Sequence, residues 1–228
     1  MTRLRAVGVV AALLGSLVLV SLVARGGTSP ELADLTAGRL PTAAPAVVDL
    51  VPAASTGAVV PAPAPAWVRR TSAATGIPRP ALRAYGRAEI SLARELPSCH
   101  LGWTTLAGIG WVESQQGTVG GRALGADAVP SAPVTGPVLP DGSHAEGPMQ
   151  FLASTWDRWA ADGDGDGRAD VDDLDDAALA AGRYLCADGH DLATGAGWGT
   201  AVFAYNHSWD YVQAVFSAAQ AYDGRVRR

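Results

Sequence analysis

The chain has 228 residues, of which 48% are hydrophobic and 17% charged, and its formal net charge is −5. All seventeen basic residues are arginine, and they form no cluster interleaved with aromatic residues. This composition argues against nucleic acid as a partner.

The N-terminus carries an almost unbroken apolar run from Ala6 to Ala24, behind Arg3 and Arg5. The pattern predicts a hydrophobic helix within residues 1–25 that is either a signal peptide or a membrane anchor. The run is about as long as a bilayer core requires, which favours an uncleaved anchor. In both cases the rest of the chain is exported, so we expect an extracytoplasmic protein.

The next segment, residues 26–66, is rich in Ala, Pro, Val and Thr. Such a composition cannot bury a core, so it predicts a disordered linker or an extended stalk. Residues 67–228 have the length of one ordinary domain with a single core.

Within that domain, four stretches carry apolar residues at helical spacing, and no stretch alternates as a strand does. They are Pro80 to Leu96, Thr104 to Gln115, Leu174 to Leu185 and Trp209 to Ala219. The fold class is therefore predicted as mainly α, with a short hairpin possible only in the long connection after residue 117. Five tryptophans, at positions 103, 111, 156, 159 and 209, are assigned to the core.

Two glycines, Gly108 and Gly110, interrupt the second of these helices. Each costs about 1 kcal/mol in a helix interior, which indicates close approach of another helix or of a ligand.

The chain contains two cysteines, Cys99 and Cys186. In an exported protein two cysteines most simply form one disulfide, and two separate free thiols are the alternative.

Glu113 is the first candidate for chemistry. It follows Leu106 and Ile109 at i, i+3 and i+7, which places a carboxyl group on the apolar stripe of a helix. Desolvation raises its pKa, as does the negative end of the helix dipole if Gly117 marks the helix end. A carboxylic acid that stays protonated near neutral pH is the proton donor that a glycosidic oxygen needs. The alternative is a glutamate paired with an arginine at the rim of the core.

A long connection from Thr118 to Glu146 follows, dense in Gly, Pro, Ala and Asp. Structureless loops of this length are usually lids or binding loops, and this one leads directly into Gly147 to Phe151. We expect it to lie over a cleft, with a disordered insertion as the alternative.

An acidic loop from Asp162 to Asp173 follows the twelve-residue EF-hand pattern. The predicted calcium ligands are the carboxylates of Asp162, Asp164, Asp166, Asp170 and Asp173 and the carbonyl of Arg168. Asp173 stands where a bidentate glutamate is usual, which predicts a weaker site. A solvated acidic turn is the alternative.

Together these stretches resemble the lytic murein transglycosylases, specifically the membrane-bound type B subfamily with a lysozyme-like fold. The resemblance extends over most of residues 67–228. It is carried by Ile77 to Arg87, Leu106 to Ser114, Gly147 to Phe151, the acidic loop, Ala177 to Cys186 and Ala204 to Asn206. It implies that Glu113 is the single catalytic acid and base. It also implies that the sugar cleft is shaped by Ser114, Met149, Gln150, Phe151, Tyr205 and Asn206. It strengthens the expectation of structural calcium, and we expect no organic cofactor.

The reaction that the resemblance implies cleaves the β-1,4 bond between N-acetylmuramic acid and N-acetylglucosamine in peptidoglycan without water. Glu113 would protonate the leaving oxygen and then accept the proton of the muramoyl C6 hydroxyl, which attacks its own C1 and forms a 1,6-anhydro sugar. Gln150 is expected to contact an N-acetyl group through its amide, which both donates and accepts hydrogen bonds. The partners would be glycan strands of the cell wall, and the membrane if the N-terminal segment is retained.

Two alternatives remain at this point. A peptidoglycan hydrolase on the same fold needs a second carboxylate, and Asp127, Asp141 and Glu146 are the candidates in the long connection. A calcium-dependent wall-binding module without catalysis is the other alternative.

Overall fold

The computed structural model describes residues 40–41, 48–52 and 59–228. The predicted N-terminal hydrophobic helix, residues 1–25, lies outside these ranges. Among the helices within them, none combines the length and the apolar character needed to cross a bilayer.

The described residues form seven α-helices and two short antiparallel hairpins. In chain order the elements are β1 (Val48–Pro52), β2 (Val59–Pro63), α1 (Pro65–Thr75), α2 (Arg79–Glu95), α3 (Trp103–Ser114), β3 (Ala145–Glu146), β4 (Phe151–Leu152), α4 (Ala153–Trp159), α5 (Leu174–Leu185), α6 (Gly195–Asn206) and α7 (Trp209–Val226). The prediction of a mainly α domain is confirmed, and the four predicted helices correspond to α2, α3, α5 and α7.

The first hairpin differs from the predicted linker over residues 26–66. β1 pairs antiparallel with β2, Val48 lying opposite Pro63. β2 packs on α2, where Ala62 is buried, and α1 already begins at Pro65. A two-stranded ribbon is stable when it packs on a helix, and small apolar residues between prolines permit that packing here. Strand β2 and the first two residues of α1 therefore precede the predicted domain boundary at residue 67.

Helix α3 lies at the centre of the domain and packs along α7, while α2 packs along α5. A Cβ atom at Gly108 would lie only 2.8 Å from the carbonyl oxygen of Val215 on α7. Gly110 faces the hydroxyl of Tyr85 on α2 in the same way. Both glycines therefore permit close helix approach, as predicted.

A disulfide joins Cys99, after α2, to Cys186, at the end of α5, with the Cα atoms 5.5 Å apart. This confirms the predicted pairing. The bridge links positions 87 residues apart. In the chain-entropy model a cross-link over such a loop stabilises the folded protein by about 4.5 kcal/mol.

The five tryptophans that were assigned to the core divide into two groups. Trp103 is completely buried, and Trp156, Trp159 and Trp209 pack against the core. Trp111 is 47% exposed, so its assignment to the core is wrong. It occupies the one position of α3 that faces solvent.

Candidate active site

The end of α3 is shaped by three successive left-handed residues. The helix ends at Ser114, and Gln115, Gln116 and Gly117 have φ values of 54°, 67° and 80°. Gln115 is therefore the C-cap, not Gly117 as the sequence suggested. Glu113 lies in the last turn, next to a sharp change of chain direction.

The strained conformation of Gln116 is held by its buried amide. Its Nε2 donates to the carbonyl of Ala107 at 3.0 Å and to the hydroxyl of Tyr222 at 3.1 Å. Its Oε1 accepts from the hydroxyl of Tyr85. Sequence reasoning missed Gln116, because its three partners come from α2, α3 and α7.

The Glu113 side chain is buried, and its Oε1 accepts a hydrogen bond of 2.6 Å from the hydroxyl of Tyr211. Burial raises the pKa of Glu113 to about 8, although the Tyr211 hydrogen bond acts in the opposite direction. The direction agrees with the sequence prediction, and Glu113 is protonated at neutral pH. Within the described residues no arginine pairs with Glu113, so the alternative of a rim ion pair does not apply.

Tyr211 belongs to the first turn of α7, which Ser208 caps by accepting from the Tyr211 amide. Its ring lies parallel to that of Tyr205, with 6.3 Å between centroids. The sequence offered no signal for this residue, because it is 98 positions from Glu113 and lies on an ordinary amphipathic helix.

Glu113 borders two adjoining pockets of about 180 Å³ and 150 Å³. Three residues line both of them: Glu113, Pro137 and Gln150. The two pockets therefore form one cleft with the Glu113 carboxyl near its middle, an arrangement that suits a chain extending to both sides of the bond to be cleaved.

The long connection forms one wall of this cleft, as predicted. Residues 134–137 and Leu139 line it. Arg122 orders the loop from within, since its guanidinium donates to the carbonyls of Val119, Ala132 and Pro133 at 2.6 to 3.2 Å. The alternative of a disordered insertion is therefore wrong.

Gln150 faces the cleft in a left-handed conformation, with φ of 53°. Its Nε2 donates to the carbonyls of Gly147 at 2.8 Å and Val134 at 3.1 Å. The donor half of the amide is thus bonded to backbone, and Oε1 is the atom left to meet a ligand. The expectation that this amide both donates and accepts is corrected accordingly.

Two predicted cleft residues lie beneath the surface. The Ser114 hydroxyl donates to the carbonyl of Pro148 at 2.6 Å and accepts from the amide of Gly117 at 2.7 Å. Met149 is completely buried, and its carbonyl accepts from the Tyr205 hydroxyl at 2.9 Å. Ser114 and Met149 support the cleft wall instead of lining it, because the Ser114 hydroxyl is bonded to backbone groups and the Met149 side chain is completely buried.

The opposite wall is aromatic. Phe151 and Tyr205 line the cleft with Asn206, the last residue of α6, which agrees with their predicted location. Tyr184 was missed, although it lines the same wall. Its ring lies 5.6 Å from that of Tyr205, and its hydroxyl donates to the carbonyl of Ala204 at 2.7 Å.

The other carboxylates considered for a second catalytic role lie elsewhere. Glu146 pairs with His144 at 2.9 Å, Asp141 accepts from Ser143, and Asp127 accepts from the amide of Val129. Among the described residues that line the two pockets, Glu113 is the only one with a carboxyl group.

The acidic loop brings three of its predicted ligands together. Carboxylate oxygens of Asp162, Asp164 and Asp166 all lie within 4.8 Å of one another. Hard oxygen donors at this spacing fit a calcium ion.

Asp173 does not complete this set as the twelve-residue pattern suggests. Its Oδ1 accepts from the Asp175 amide at 2.8 Å and caps α5, because the helix begins at the next residue. Asp176, three residues further on, accepts from the amides of Gly163 at 2.6 Å and Asp170 at 2.8 Å. Burial raises the pKa of Asp176 to about 7, and the charges of Asp164 and Asp162 act in the same direction. Burial also raises the pKa of Asp173 to about 7, and the Asp164 charge again acts in the same direction. Both acids therefore lie close to the loop carboxylates.

The acidic loop is also tied to the core. The carboxylate of Asp175 is completely buried between the guanidinium groups of Arg83, at 2.9 Å, and Arg87, at 3.1 Å. This pairing fixes the start of α5 to α2, and with it the base of the loop.

One part of the chain matches a known protein family. Residues 141–220 match the family model of the transglycosylase SLT domain. This match supports a lytic transglycosylase that acts on peptidoglycan. No curated protein and no solved structure matches the chain.

The segment that matches the SLT domain contains the aromatic wall, the acidic loop and Tyr211. Helix α3 precedes it, so Glu113 lies outside the matched residues. The case for Glu113 therefore depends on the geometry of the cleft, where the SLT segment supplies its hydrogen-bond partner and the aromatic wall.

Proposed function

We propose that the protein is a lytic transglycosylase of the membrane-bound type B kind, which cleaves the β-1,4 bond between N-acetylmuramic acid and N-acetylglucosamine of peptidoglycan. One observation carries the proposal. A buried glutamate with a pKa of about 8 is the only carboxyl group that the described residues present to the cleft formed by the two adjoining pockets.

In the first step protonated Glu113 gives its proton to the glycosidic oxygen as the bond from that oxygen to C1 of the muramoyl residue breaks. The carboxylate that forms is buried, and the Tyr211 hydroxyl stabilises it by a hydrogen bond. A proton donor in this position contributes about 10²- to 10⁴-fold to the rate.

In the second step the C6 hydroxyl of the same muramoyl residue attacks C1, and its proton passes to the Glu113 carboxylate. The products are a 1,6-anhydro sugar and an enzyme that is protonated again. One carboxyl group serves both steps because each step leaves it in the form that the other needs.

The absence of a second carboxyl group among the residues described at the cleft favours this reaction over hydrolysis. Hydrolytic glycosidases use two carboxyl groups that flank the bond, about 5 to 9.5 Å apart. Glu146, Asp141 and Asp127 are bonded to other groups and do not line either pocket.

We also propose that the acidic loop binds a structural calcium ion. The ligands would be the carboxylates of Asp162, Asp164, Asp166 and Asp170 and the carbonyl of Arg168, with Asp176 in place of Asp173. Three convergent carboxylates and a fourth held against the loop by two backbone amides support this set. The test is titration calorimetry with calcium, and no heat together with no melting shift would remove the proposal.

We propose, further, that the domain works outside the cytoplasm, anchored to the membrane or secreted into the cell wall. The disulfide supports this location, because such bonds persist in oxidising compartments. The apolar run at residues 6–24 would provide the export signal or the anchor.

Digestion of purified peptidoglycan with the wild-type domain and with Glu113→Gln, followed by mass spectrometry of the muropeptides, tests the reaction. We expect anhydro products from the wild type and an activity at least about 10²-fold lower in the variant. Glu146→Gln is the matched control, and it should retain activity because its carboxylate lies away from the pockets.

Other results would contradict the proposal in distinct ways. Products with free reducing ends would identify a hydrolase. Binding of peptidoglycan without cleavage by the wild type would identify a wall-binding module.

A further inference from the structure

Trp111 lies exposed on the outer face of α3. Its side chain is 47% accessible, although every neighbouring position from Trp103 to Gly110 is buried. Burying a tryptophan contributes a large apolar area, so a surface position loses stability that the core would provide. Trp111 also lines a groove, so its indole is accessible to a ligand that binds there.

The groove beside Trp111 has a volume of about 410 Å³. It lies between the end of α3, the turn from α1 to α2 and the last turns of α7. Two small residues of α7, Ala218 and Ala221, line one side, while Gln115, Thr118 and Arg225 provide polar groups.

This groove is separate from the catalytic cleft. Trp111 and Glu113 are two residues apart on a helix, so their side chains point about 200° apart around its axis. The groove shares no lining residue with the two pockets beside Glu113. The two surfaces approach each other only at the end of α3, where Thr118 lines the groove and Val119 lines the cleft.

The polar groups around Trp111 suit a sugar that carries a carboxylate. The side-chain amide of Gln115 forms no hydrogen bond within the described part of the chain and lies one helical turn from Trp111. The guanidinium of Arg225 is positioned by a 2.8 Å hydrogen bond to the carbonyl of Thr75 and lies 6.0 Å from the ring of Tyr222. The groove therefore combines three groups: an indole that can stack on a sugar ring, an amide that can bond to an N-acetyl group, and a fixed cation that can pair with a carboxylate.

We propose that this groove is a second glycan-binding site, which holds a peptidoglycan strand on the face of α3 opposite the cleft. The sugar ring would stack on Trp111, and Arg225 would meet the lactyl or peptide carboxylate. The proposal takes its ligand class from the proposed function. A second site keeps the domain on the polymer while the cleft releases one strand and binds the next, so it raises the effective concentration of substrate.

The test is binding without cleavage, measured in the Glu113→Gln background by sedimentation with insoluble peptidoglycan. We expect Trp111→Ala to weaken binding by about tenfold, and Trp111→Phe to restore most of it, because one stacked aromatic contact is worth up to about 1.5 kcal/mol. Leu96→Ala removes another exposed apolar side chain, 39% accessible, and serves as the matched control. Thermal melting of each variant separates lost binding from lost folding.

A second measurement locates the contact. In a titration of the Glu113→Gln domain with a soluble N-acetylglucosamine pentamer, followed by NMR, we expect the indole N–H resonance of Trp111 to shift. Equal polymer binding by Trp111→Ala and Leu96→Ala, with an unmoved indole signal, would overturn the second site and leave the catalytic proposal intact. Loss of cleavage in Glu113→Gln concerns only the catalytic proposal.

Discussion

Replacement of Tyr211 by phenylalanine isolates the one hydrogen bond that Glu113 accepts within the described residues. The variant keeps the aromatic ring and its parallel packing on Tyr205, and it removes only the hydroxyl that lies 2.6 Å from the carboxyl oxygen. This hydrogen bond lowers the pKa of Glu113, against the larger effect of burial. Its loss must therefore raise the pKa above about 8.

The magnitude follows from the strength of the bond. A hydrogen bond to a charged group contributes about 1.5 to 3 kcal/mol, and part of that is retained when the group is neutral. A net loss of about 1.4 kcal/mol from the ionised form corresponds to one pH unit. The same energy destabilises the carboxylate that forms when the glycosidic bond breaks. We therefore expect the rate below pH 7 to fall about tenfold and the alkaline limb to move up by about one pH unit.

The assay is the pH dependence of anhydro-product release from a soluble glycan between pH 5 and 10. Tyr222→Phe is the matched control, because its hydroxyl accepts from Gln116 and does not contact Glu113. An alkaline limb that stays in place or moves down in Tyr211→Phe, or one that moves equally in the control, would refute the reasoning.

Three further outcomes are expected. The pKa of Glu113 is about 8 in the folded protein and about 4.3 in the unfolded chain, so ionisation costs the wild type stability as the pH rises through this window. By calorimetry, Glu113→Gln should therefore melt several degrees above the wild type at pH 8.5 and within about a degree of it near pH 4. A difference in melting temperature that is the same at both pH values would contradict this pKa. Gly108→Ala should lower the free energy of unfolding in urea by about 1 to 3 kcal/mol, because the added methyl group meets a carbonyl on α7. Gly224→Ala, which has open space around it, should not lower it. Asp176→Asn should reduce the rise in melting temperature that calcium produces more than Asp173→Asn does, and the reverse order would restore the twelve-residue ligand set.

The extent to which the sequence anticipates the site differs from residue to residue. Glu113, Phe151, Tyr205 and Asn206 were expected at the cleft and lie there, because each belongs to a short motif with a local signature. Tyr184 lines the same site and Tyr211 bonds to Glu113, but the residues next to them in the sequence do not indicate these roles. Their positions follow from how α5 and α7 pack against α3.

The residues whose positions differ from expectation have a similar explanation. The EF-hand pattern assigned Asp173 by counting along the loop, and it could not show that this carboxylate also caps α5 or that Asp176 accepts from two amides of the loop. The family resemblance implied that Ser114 and Met149 shape the cleft, and both side chains lie beneath its surface. Trp111 was assigned to the core by residue type alone.

By itself the sequence determined the helical class of the domain, because the spacing of apolar residues is a local property. It also predicted the disulfide, since the chain has only two cysteines, and the apolar surroundings of Glu113, since Leu106 and Ile109 lie on the same helix face. Only the tertiary structure decided which hydroxyl meets Glu113, which acids stay away from it and which tryptophan stays in solvent. These facts depend on the packing of helices far apart in the chain, and a hydrogen bond or a buried surface exists only where that packing brings two groups into contact.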